Sequence, residues 1–168
     1  MHEEWAEVDM SNQIDNKWNK DSCLALKKGN KGFVVRIRSE DKKELKTKFI
    51  WNSDSENNKK HNRRIIVIIY CFILYKLIKI SEEFGTKIKI CNDAGPRWAV
   101  NKYLNSIFRY HNEPPIGKEI RLRFRMEGDK ESSAHSLARK TMRGRKKENY
   151  LIIKEDIKEL EDILRKII

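Results

Sequence analysis

Two aspartates follow predicted strands in this sequence. Asp9 closes the segment Trp-Ala-Glu-Val-Asp, and Asp93 follows the segment Ile-Lys-Ile-Cys-Asn. A β-hairpin pattern and one long apolar helix separate them, so both carboxylates are expected at one edge of a single sheet. Carboxylate oxygens bind Mg²⁺ and Mn²⁺, and a pair of such ions activates water and neutralises charge during phosphodiester hydrolysis. The two aspartates therefore predict a metal-dependent site that acts on nucleic acid.

Each aspartate also has a structural interpretation. Asp residues at strand ends often cap turns or helices, and Asp93 precedes a predicted helix whose N-terminus suits an Asp cap. Asp21, in the segment Asp-Ser-Cys, competes with Asp9 for the first position of the site. Both alternatives stay open at the level of sequence.

The net charge favours a polyanionic partner. The 168 residues carry 37 Lys and Arg against 25 Asp and Glu, a formal charge of +12. Such an excess promotes nucleic-acid binding through counterion release, although a lysine-rich surface also keeps a protein soluble. The residues predicted to contact phosphates are Lys59, Lys60, Arg63, Arg64, Arg121, Arg123, Arg125, Arg139, Lys140, Arg143, Arg145, Lys146 and Lys147. Trp18 and Trp98 are candidates for stacking on bases.

Cysteine use and hydropathy indicate an intracellular, cytoplasmic protein that is not in a membrane. Cys23, Cys71 and Cys91 match no zinc spacing and are interpreted as buried thiols in a reducing compartment. The acidic start lacks the apolar core of a signal peptide. The uninterrupted apolar run 65–75 is well short of the roughly 20 residues that a bilayer helix needs, so a buried core helix is expected.

The pattern of elements predicts an α/β fold. A strand to Asp9, a hairpin over residues 22–38 and a possible edge strand over 43–50 come first. A helix starts at a capping box at Ser53–Glu56, or near Asn62 if residues 57–61 are a loop, and runs to about Glu83. A strand over 86–91, a helix opened by Pro96 and Trp98, and an alternating strand over 119–126 follow. A short helix over 134–140, a basic tract over 139–147 and an amphipathic helix from about Ile153 complete the chain.

The order of elements and three short motifs resemble the ribonuclease H-like superfamily. Asp9-Met10-Ser11 is similar to the family's Asp-x-Ser, Asp93 to its second aspartate, and Ala134-His135-Ser136-Leu137-Ala138-Arg139 to its closing helix, Ala-Asp-x-Leu-Ala-Arg. His135 stands at the metal-ligand position, where resolvases of the superfamily also use a His. The resemblance spans roughly residues 3–140.

The resemblance implies a fold and a site. It implies a five-stranded mixed sheet, with three antiparallel strands and then two parallel strands connected by helices, over a domain of residues 1–141. Residues 142–168 are expected to form a basic linker and a C-terminal helix packed on the domain or extending from it. Asp9, Asp93 and His135 would bind a two-metal Mg²⁺ or Mn²⁺ centre. Asp54, Glu56, Asp129 and Glu131 are candidates for the fourth ligand, with Glu56 nearest to the family's helix glutamate.

Three functions follow from these expectations. The first is a divalent-metal-dependent nuclease acting on RNA–DNA hybrid or on structured DNA or RNA, with a homodimer expected if it is a resolvase. The second is a nucleic-acid-binding module of the same fold without catalysis. The third is an assembly or adaptor protein whose C-terminal helix docks on a partner.

Overall fold

Three strands form an antiparallel meander near the N-terminus. The computed structural model describes residues 5–15, 17–52, 54–84, 87–90, 95–114, 121–124 and 132–168. Strands β1 (Ala6–Ser11) and β2 (Ser22–Lys28) pair antiparallel, and β2 pairs with β3 (Lys31–Ile37) across a two-residue turn. The predicted hairpin is therefore confirmed. Strand β1 extends two residues beyond Asp9, because Met10 and Ser11 still pair with β2.

A helix replaces the predicted edge strand over residues 43–50. Helix α1 (Ser39–Phe49) buries Leu45 and Phe49, which lie four residues apart, whereas a strand would alternate burial every second residue. The side chains of Lys48 and Glu44 also meet across one helical turn, with Nζ 2.9 Å from Oε1. The strand prediction was wrong because two apolar residues at a spacing of four indicate a helical face.

Helix α2 (Glu56–Ile80) carries the apolar run through the core. Its cap is Ser55, whose hydroxyl accepts a hydrogen bond from the Asn58 N–H at 3.2 Å. The helix ends at Ile80, and one 3-10 turn, Glu82–Phe84, follows it, so the predicted end near Glu83 was a few residues late. A helix that is apolar around most of its circumference is a buried helix. Accordingly, α2 packs on β2, β3 and the other helices of its layer.

Three further strands extend the sheet in parallel. Strand β4 (Lys87–Ile90) pairs with β1, and β5 (Arg121–Phe124) pairs with β4. Strand β6 (Tyr150–Leu151) pairs with β3 at the opposite edge. The order is β5-β4-β1-β2-β3-β6. The mixed α/β sheet and the pairing of its five predicted strands are confirmed, but the sheet gains a two-residue sixth strand that the sequence did not predict.

The sheet has two unlike faces. Helices α2, α3 (Arg97–Tyr110) and α5 (Lys154–Ile167) cover one face and enclose the main hydrophobic core, which includes Val8, Leu24 and Val35. Helix α4 (Ser133–Met142) packs on the other face, against β1, β2 and β3. Alternate residues of a strand point to opposite faces. Asp9 therefore lies on the α4 face, while its neighbour Val8 lies in the main core.

The C-terminal segment packs on the sheet and on the core. Helix α5 buries Ile157, Leu160, Ile163 and Leu164 and contacts α1, α2 and α3. The Tyr110 hydroxyl of α3 donates to an Asp162 carboxylate oxygen of α5 at 2.6 Å. Within the described parts of the chain, no helix is long and apolar enough to cross a membrane.

Candidate active site

Asp9 is a buried carboxylate on the α4 face of β1. Its residue is only 3% exposed, and Oδ1 accepts a hydrogen bond from the Met10 N–H at 2.8 Å. In the described ladder between β1 and β4, the last pair is Val8 with Ile90, so Asp9 is the first β1 residue beyond it. A buried carboxylate is costly unless hydrogen bonds or a positive partner compensate it. Its surroundings must therefore supply positive charge or donors.

His135 supplies one such partner. It lies in the first turn of α4, and its Nδ1 is 3.4 Å from Asp9 Oδ2. The imidazole is about one-third exposed at 32%, whereas the Asp9 side chain is buried. The pair thus joins a carboxylate below the surface to a ring that solvent reaches, which is an arrangement that can bind a cation or transfer a proton.

Glu7 fixes the start of α4 over β1. Its Oε2 accepts hydrogen bonds from the Ser133 N–H at 2.8 Å and from the Ser133 hydroxyl at 2.9 Å. A carboxylate at a helix N-terminus satisfies free N–H groups and interacts favourably with the helix dipole. Glu7 and Asp9 are two residues apart on β1 and share a face. The same strand therefore anchors the helix and provides the carboxylate that meets its histidine.

Small side chains let α4 approach the sheet closely. Ala134 and Ala138 are fully buried against Cys23, Ala25 and Val34. Under Leu137 lies Gly32, where an added Cβ would be 2.3 Å from Leu137 Cδ2. The alanines of the segment Ala-His-Ser-Leu-Ala-Arg thus have a packing role, since only small residues allow this contact. Ala134 and His135 are consecutive, and successive residues of a helix point in different directions. Ala134 therefore faces the sheet while the His135 imidazole faces Asp9.

Three predicted acids lie outside the described residues: Asp93, Asp129 and Glu131. Ile90 ends β4 beside Val8, and Asp93 follows Ile90 by three positions in the sequence. The parallel pairing of β4 with β1 brings the carboxyl ends of both strands to the same edge of the sheet. The prediction for Asp93 stays a prediction.

Glu56 and Asp54 do not join the Asp9–His135 pair. Among the described residues, no group of three or more His, Cys, Asp or Glu is placed to share a metal ion. Glu56 lies in the first turn of α2, where its side chain is 76% exposed and its Oε1 is 3.7 Å from Lys59 Nζ. Gly95, just before α3, lies against α2 at Val67, since a Cβ built on Gly95 would be 2.8 Å from Val67 Cγ2. Glu56 precedes Val67 by eleven residues, or about 16 Å along a helix axis.

Asp21, the competitor of Asp9, has a structural role. Its Oδ2 lies 2.6 Å from Arg36 Nη2 and accepts a hydrogen bond from Arg36 Nε at 2.8 Å. Its Oδ1 accepts a hydrogen bond from the Ser39 N–H at 2.8 Å. Burial alone would raise the pKa of Asp21, but the hydrogen bonds from Ser39 and Arg36 hold it below its usual value. Asp21 therefore links β3 to the start of α1.

The predicted basic residues divide into separate surfaces. Lys59, Lys60, Arg63 and Arg64 are exposed on the first turns of α2. Arg139, Arg143, Arg145 and Lys146 are exposed on the last turn of α4 and in the loop after it. Arg121 and Arg123 belong to β5, and Arg125 lies outside the described residues. The charge is thus concentrated at the start of α2 and at the end of α4.

One exposed aromatic was not predicted from the sequence. Trp51 is 51% exposed, and its ring stacks on His61 with centroids 3.6 Å apart and planes 7° from parallel. The Asn62 side chain bonds the Trp51 backbone N–H at 2.9 Å and its carbonyl at 3.0 Å. Trp98 is also exposed, at 64%, whereas Trp18 packs against the main core. The basic residues nearby at the start of α2 were the feature of the sequence that could have indicated Trp51 as a candidate for stacking on bases.

Comparison with known proteins gives no match to a family model, to a curated protein or to a solved structure.

Proposed function

We propose that this protein is a divalent-metal-dependent nuclease with a ribonuclease H-like fold. The observation that carries the proposal is the contact between Asp9 and His135, with Nδ1 and Oδ2 3.4 Å apart. Two sequence motifs separated by more than a hundred residues meet there. Their meeting depends on the sheet order and on Glu7, which bonds the first turn of α4.

The donors at this pair suit a divalent metal ion. Asp9 provides a carboxylate oxygen and His135 an imidazole nitrogen, and this mixture is tolerated better by Mn²⁺ than by Mg²⁺. Asp93 is the proposed third ligand. When bound, the metal would activate water and neutralise charge on the phosphate. The two side chains themselves would bind the ion, and His135, being partly exposed, could instead accept a proton from water as a general base.

The basic surfaces provide the binding that a nuclease needs. The exposed cations at the start of α2 and at the end of α4 can contact phosphates without reading sequence. Trp51, exposed and held by Asn62, offers a face on which a base can stack. RNA–DNA hybrid and structured DNA or RNA are the proposed substrates.

The second candidate is a nucleic-acid-binding module of the same fold without catalysis. The position of Glu56 favours it, because this side chain is paired with Lys59 at the exposed start of α2. The two candidates share the basic surfaces and differ only in the chemistry at Asp9.

The test compares Asp9→Asn with Asp15→Asn. Asp15 is an exposed loop acid, so the second variant makes the same change in charge away from the site. Cleavage of a labelled RNA–DNA hybrid and of a branched DNA is measured in Mn²⁺ and in Mg²⁺, alongside affinity for the same nucleic acids. We expect Asp9→Asn to lose at least about 100-fold in cleavage rate, and affinity to change little in either variant.

Two results would contradict the nuclease proposal. Equal cleavage by Asp9→Asn and Asp15→Asn would show that the activity comes from elsewhere. Binding that is unchanged by EDTA, with no cleavage by the wild type in either metal, would favour the non-catalytic module. The variant His135→Gln tests the histidine by itself. A general base typically contributes about 100-fold to 10,000-fold to the reaction rate, so a loss in this range is expected if His135 acts as the base.

A further inference from the structure

A cleft lined by four lysines opens along the side of α4 that carries Ser136, Leu137 and Lys140, which is the side away from His135. It lies between α4, the β2–β3 hairpin and the loop after α4, and its volume is about 290 Å³. Lys27 comes from β2, Lys140 from α4, and Lys146 and Lys147 from the loop. Among the described residues, no carboxylate lines this cleft. We call these four side chains the lysine cleft.

The loop that carries Lys146 and Lys147 is held in place by hydrogen bonds at both of its ends. Helix α4 ends in a Schellman turn, in which the Arg145 N–H donates to the Lys140 carbonyl at 2.9 Å and the Gly144 N–H to the Thr141 carbonyl at 3.1 Å. Gly144 has a φ of 73°, which favours glycine. The cleft thus has a fixed wall at the end of the helix.

The far end of the loop is bonded to β3. The Asn149 N–H donates to the Val34 carbonyl at 2.9 Å, and the Asn149 Oδ1 accepts from the Val34 N–H at 2.8 Å. Asn149 also lines the cleft, and its side-chain NH₂ adds a hydrogen-bond donor to the lining. The lysines are therefore mounted on backbone that is bonded to the sheet and to α4.

The charge of the cleft is compensated only weakly by the protein, because Glu7, the ladder partner of Lys27, bonds to Ser133 instead. Within the parts of the chain that the structure describes, Lys27, Lys140, Lys146 and Lys147 form no ion pair with a carboxylate. Four like charges around one cavity repel each other, and a bound anion would relieve that repulsion. Ammonium groups bind phosphate oxygens as point charges with strong hydrogen bonds. The chemistry of the cleft thus fits a phosphate group.

The position of the cleft relates it to the proposed site. Lys27 pairs with Glu7 in the β1–β2 ladder, and Ala25, two residues before Lys27, pairs with Asp9. Residues in this diagonal relation lie about 7–8 Å apart across an antiparallel pair. Charges along one strand of a duplex recur about every 3.4 Å of helix axis. The positions of Lys27 and Asp9 on the sheet are therefore about two phosphate spacings apart, with α4 between the cleft and the Asp9–His135 pair.

We propose that the lysine cleft binds a backbone phosphate of the same nucleic acid whose scissile phosphate a metal ion at Asp9 and His135 would hold. The proposal rests on the nucleic-acid function proposed above and adds a second contact point, which sets how a strand lies across the α4 face. Contact with the phosphate backbone is independent of sequence, so this cleft would position the substrate rather than select its bases.

The test uses the full chain and the double variant Lys27→Gln/Lys140→Gln. The matched control is Lys158→Gln/Lys43→Gln, which removes the same charge at exposed positions on α5 and α1. Affinity for a short RNA–DNA hybrid is measured over a range of salt concentrations. Each lost lysine–phosphate contact should lower the slope of log K against log salt by about 1. Because the cleft is proposed to bind one phosphate, we expect a decrease of about 1 for the cleft variant and little change for the control.

A second measurement reports on the cleft directly. Backbone amide resonances of Gly32, Leu137 and Asn149 are followed by NMR while inorganic phosphate, and then the hybrid, is added. We expect both to shift these resonances in the wild type and neither in the cleft variant. Shifts with phosphate but none with the hybrid would overturn the assignment to nucleic acid. Equal salt slopes for the cleft and control variants would overturn the site itself.

The outcome is separable from that of the nuclease proposal. Asp9→Asn is expected to abolish cleavage while retaining the wild-type salt slope, because Asp9 is not part of the cleft. A protein that never cleaves, but whose salt slope still depends on Lys27 and Lys140, would refute the nuclease and keep the cleft. Cleavage that needs Asp9, together with a salt slope that does not depend on Lys27 and Lys140, would support the nuclease and refute the cleft.

Discussion

Lys42 is a fully buried lysine, with 0% of its residue exposed, and its replacement should reveal how the loop after β1 is held. Its ammonium donates to the Lys17 carbonyl at 2.8 Å, to the Lys20 carbonyl at 2.9 Å and to the Ser22 hydroxyl at 2.8 Å. All three protons of the ammonium are thus used. The variant Lys42→Met keeps an unbranched side chain one heavy atom shorter and removes every donor.

The expected loss of stability is about 3 kcal/mol, because each hydrogen bond from a charged donor contributes about 1.5–3 kcal/mol. Against three such bonds stand the several kcal/mol that dehydrating an ammonium costs. A buried Met also recovers about 1.5–3 kcal/mol through its own transfer from water. Two loop carbonyls and one hydroxyl then need water as a replacement, and the loop that follows β1 loses its anchor to α1.

Urea unfolding monitored by circular dichroism measures this loss. The control is Lys43→Met, which makes the same substitution at the next, exposed position of α1 and should change stability by less than about 0.5 kcal/mol. If the two variants unfold at the same urea concentration near neutral pH, the three hydrogen bonds do not stabilise the fold and the reasoning fails.

The pH dependence gives an independent check on Lys42. Burial lowers its pKa from the usual 10.5 to about 8. Between these values the unfolded chain binds more protons than the folded chain, so the stability contributed by Lys42 rises as pH increases. The difference in unfolding free energy between the wild type and Lys42→Met should therefore widen from about pH 8 to about pH 10. A difference that narrows over this range would contradict the lowered pKa.

Two further substitutions test the sheet and the contact of α4. Asp21→Asn removes the carboxylate held by Arg36 and Ser39 and should cost about 2 kcal/mol near neutral pH. Because the pKa of Asp21 is lowered, its contribution is present above the usual value of 3.8 and lost as pH falls through the folded pKa, so urea unfolding of wild type and variant should converge in acid. Gly32→Ala places a Cβ 2.3 Å from Leu137 Cδ2 and should lower stability by about 1–3 kcal/mol through overpacking. An unchanged thermal midpoint would mean that Leu137 moves aside at no cost.

Elements with strong periodicity could be predicted from the sequence alone. The apolar run from Ile65 predicted the buried helix α2, and the two apolar runs over 22–38, joined by a turn that contains Gly and Asn, predicted the hairpin. The two-residue strand β6 could not be predicted, because such a short strand has no period. Its place depends on Asn149 bonding to Val34, a contact between residues 115 positions apart. Tertiary contacts of that kind leave no local pattern.

The candidate site could likewise be predicted from the sequence only in part. The motif around His135 predicted both a helix and a partner for Asp9, and the structure puts the two side chains 3.4 Å apart. Lys27, by contrast, looks like an ordinary solvent-facing residue of a strand. It joins the lysine cleft only because α4 crosses the hairpin and the following loop returns to β3. A site built from packed elements is visible only after those elements are placed.

The small contact beneath α4 has a consequence for motion. Among the described residues, the buried hydrophobic cluster under α4 consists of Cys23, Ala25, Val34, Ala134 and Ala138, with Leu137 and Met142 only partly buried against it. Helices that bury little apolar area detach at a lower free energy than the global unfolding transition. Amide hydrogens of α4 should therefore exchange with solvent well before those of α2. Each such opening would separate His135 from Asp9 while the rest of the sheet stays folded, so the protein would alternate between an assembled and a disassembled centre without unfolding.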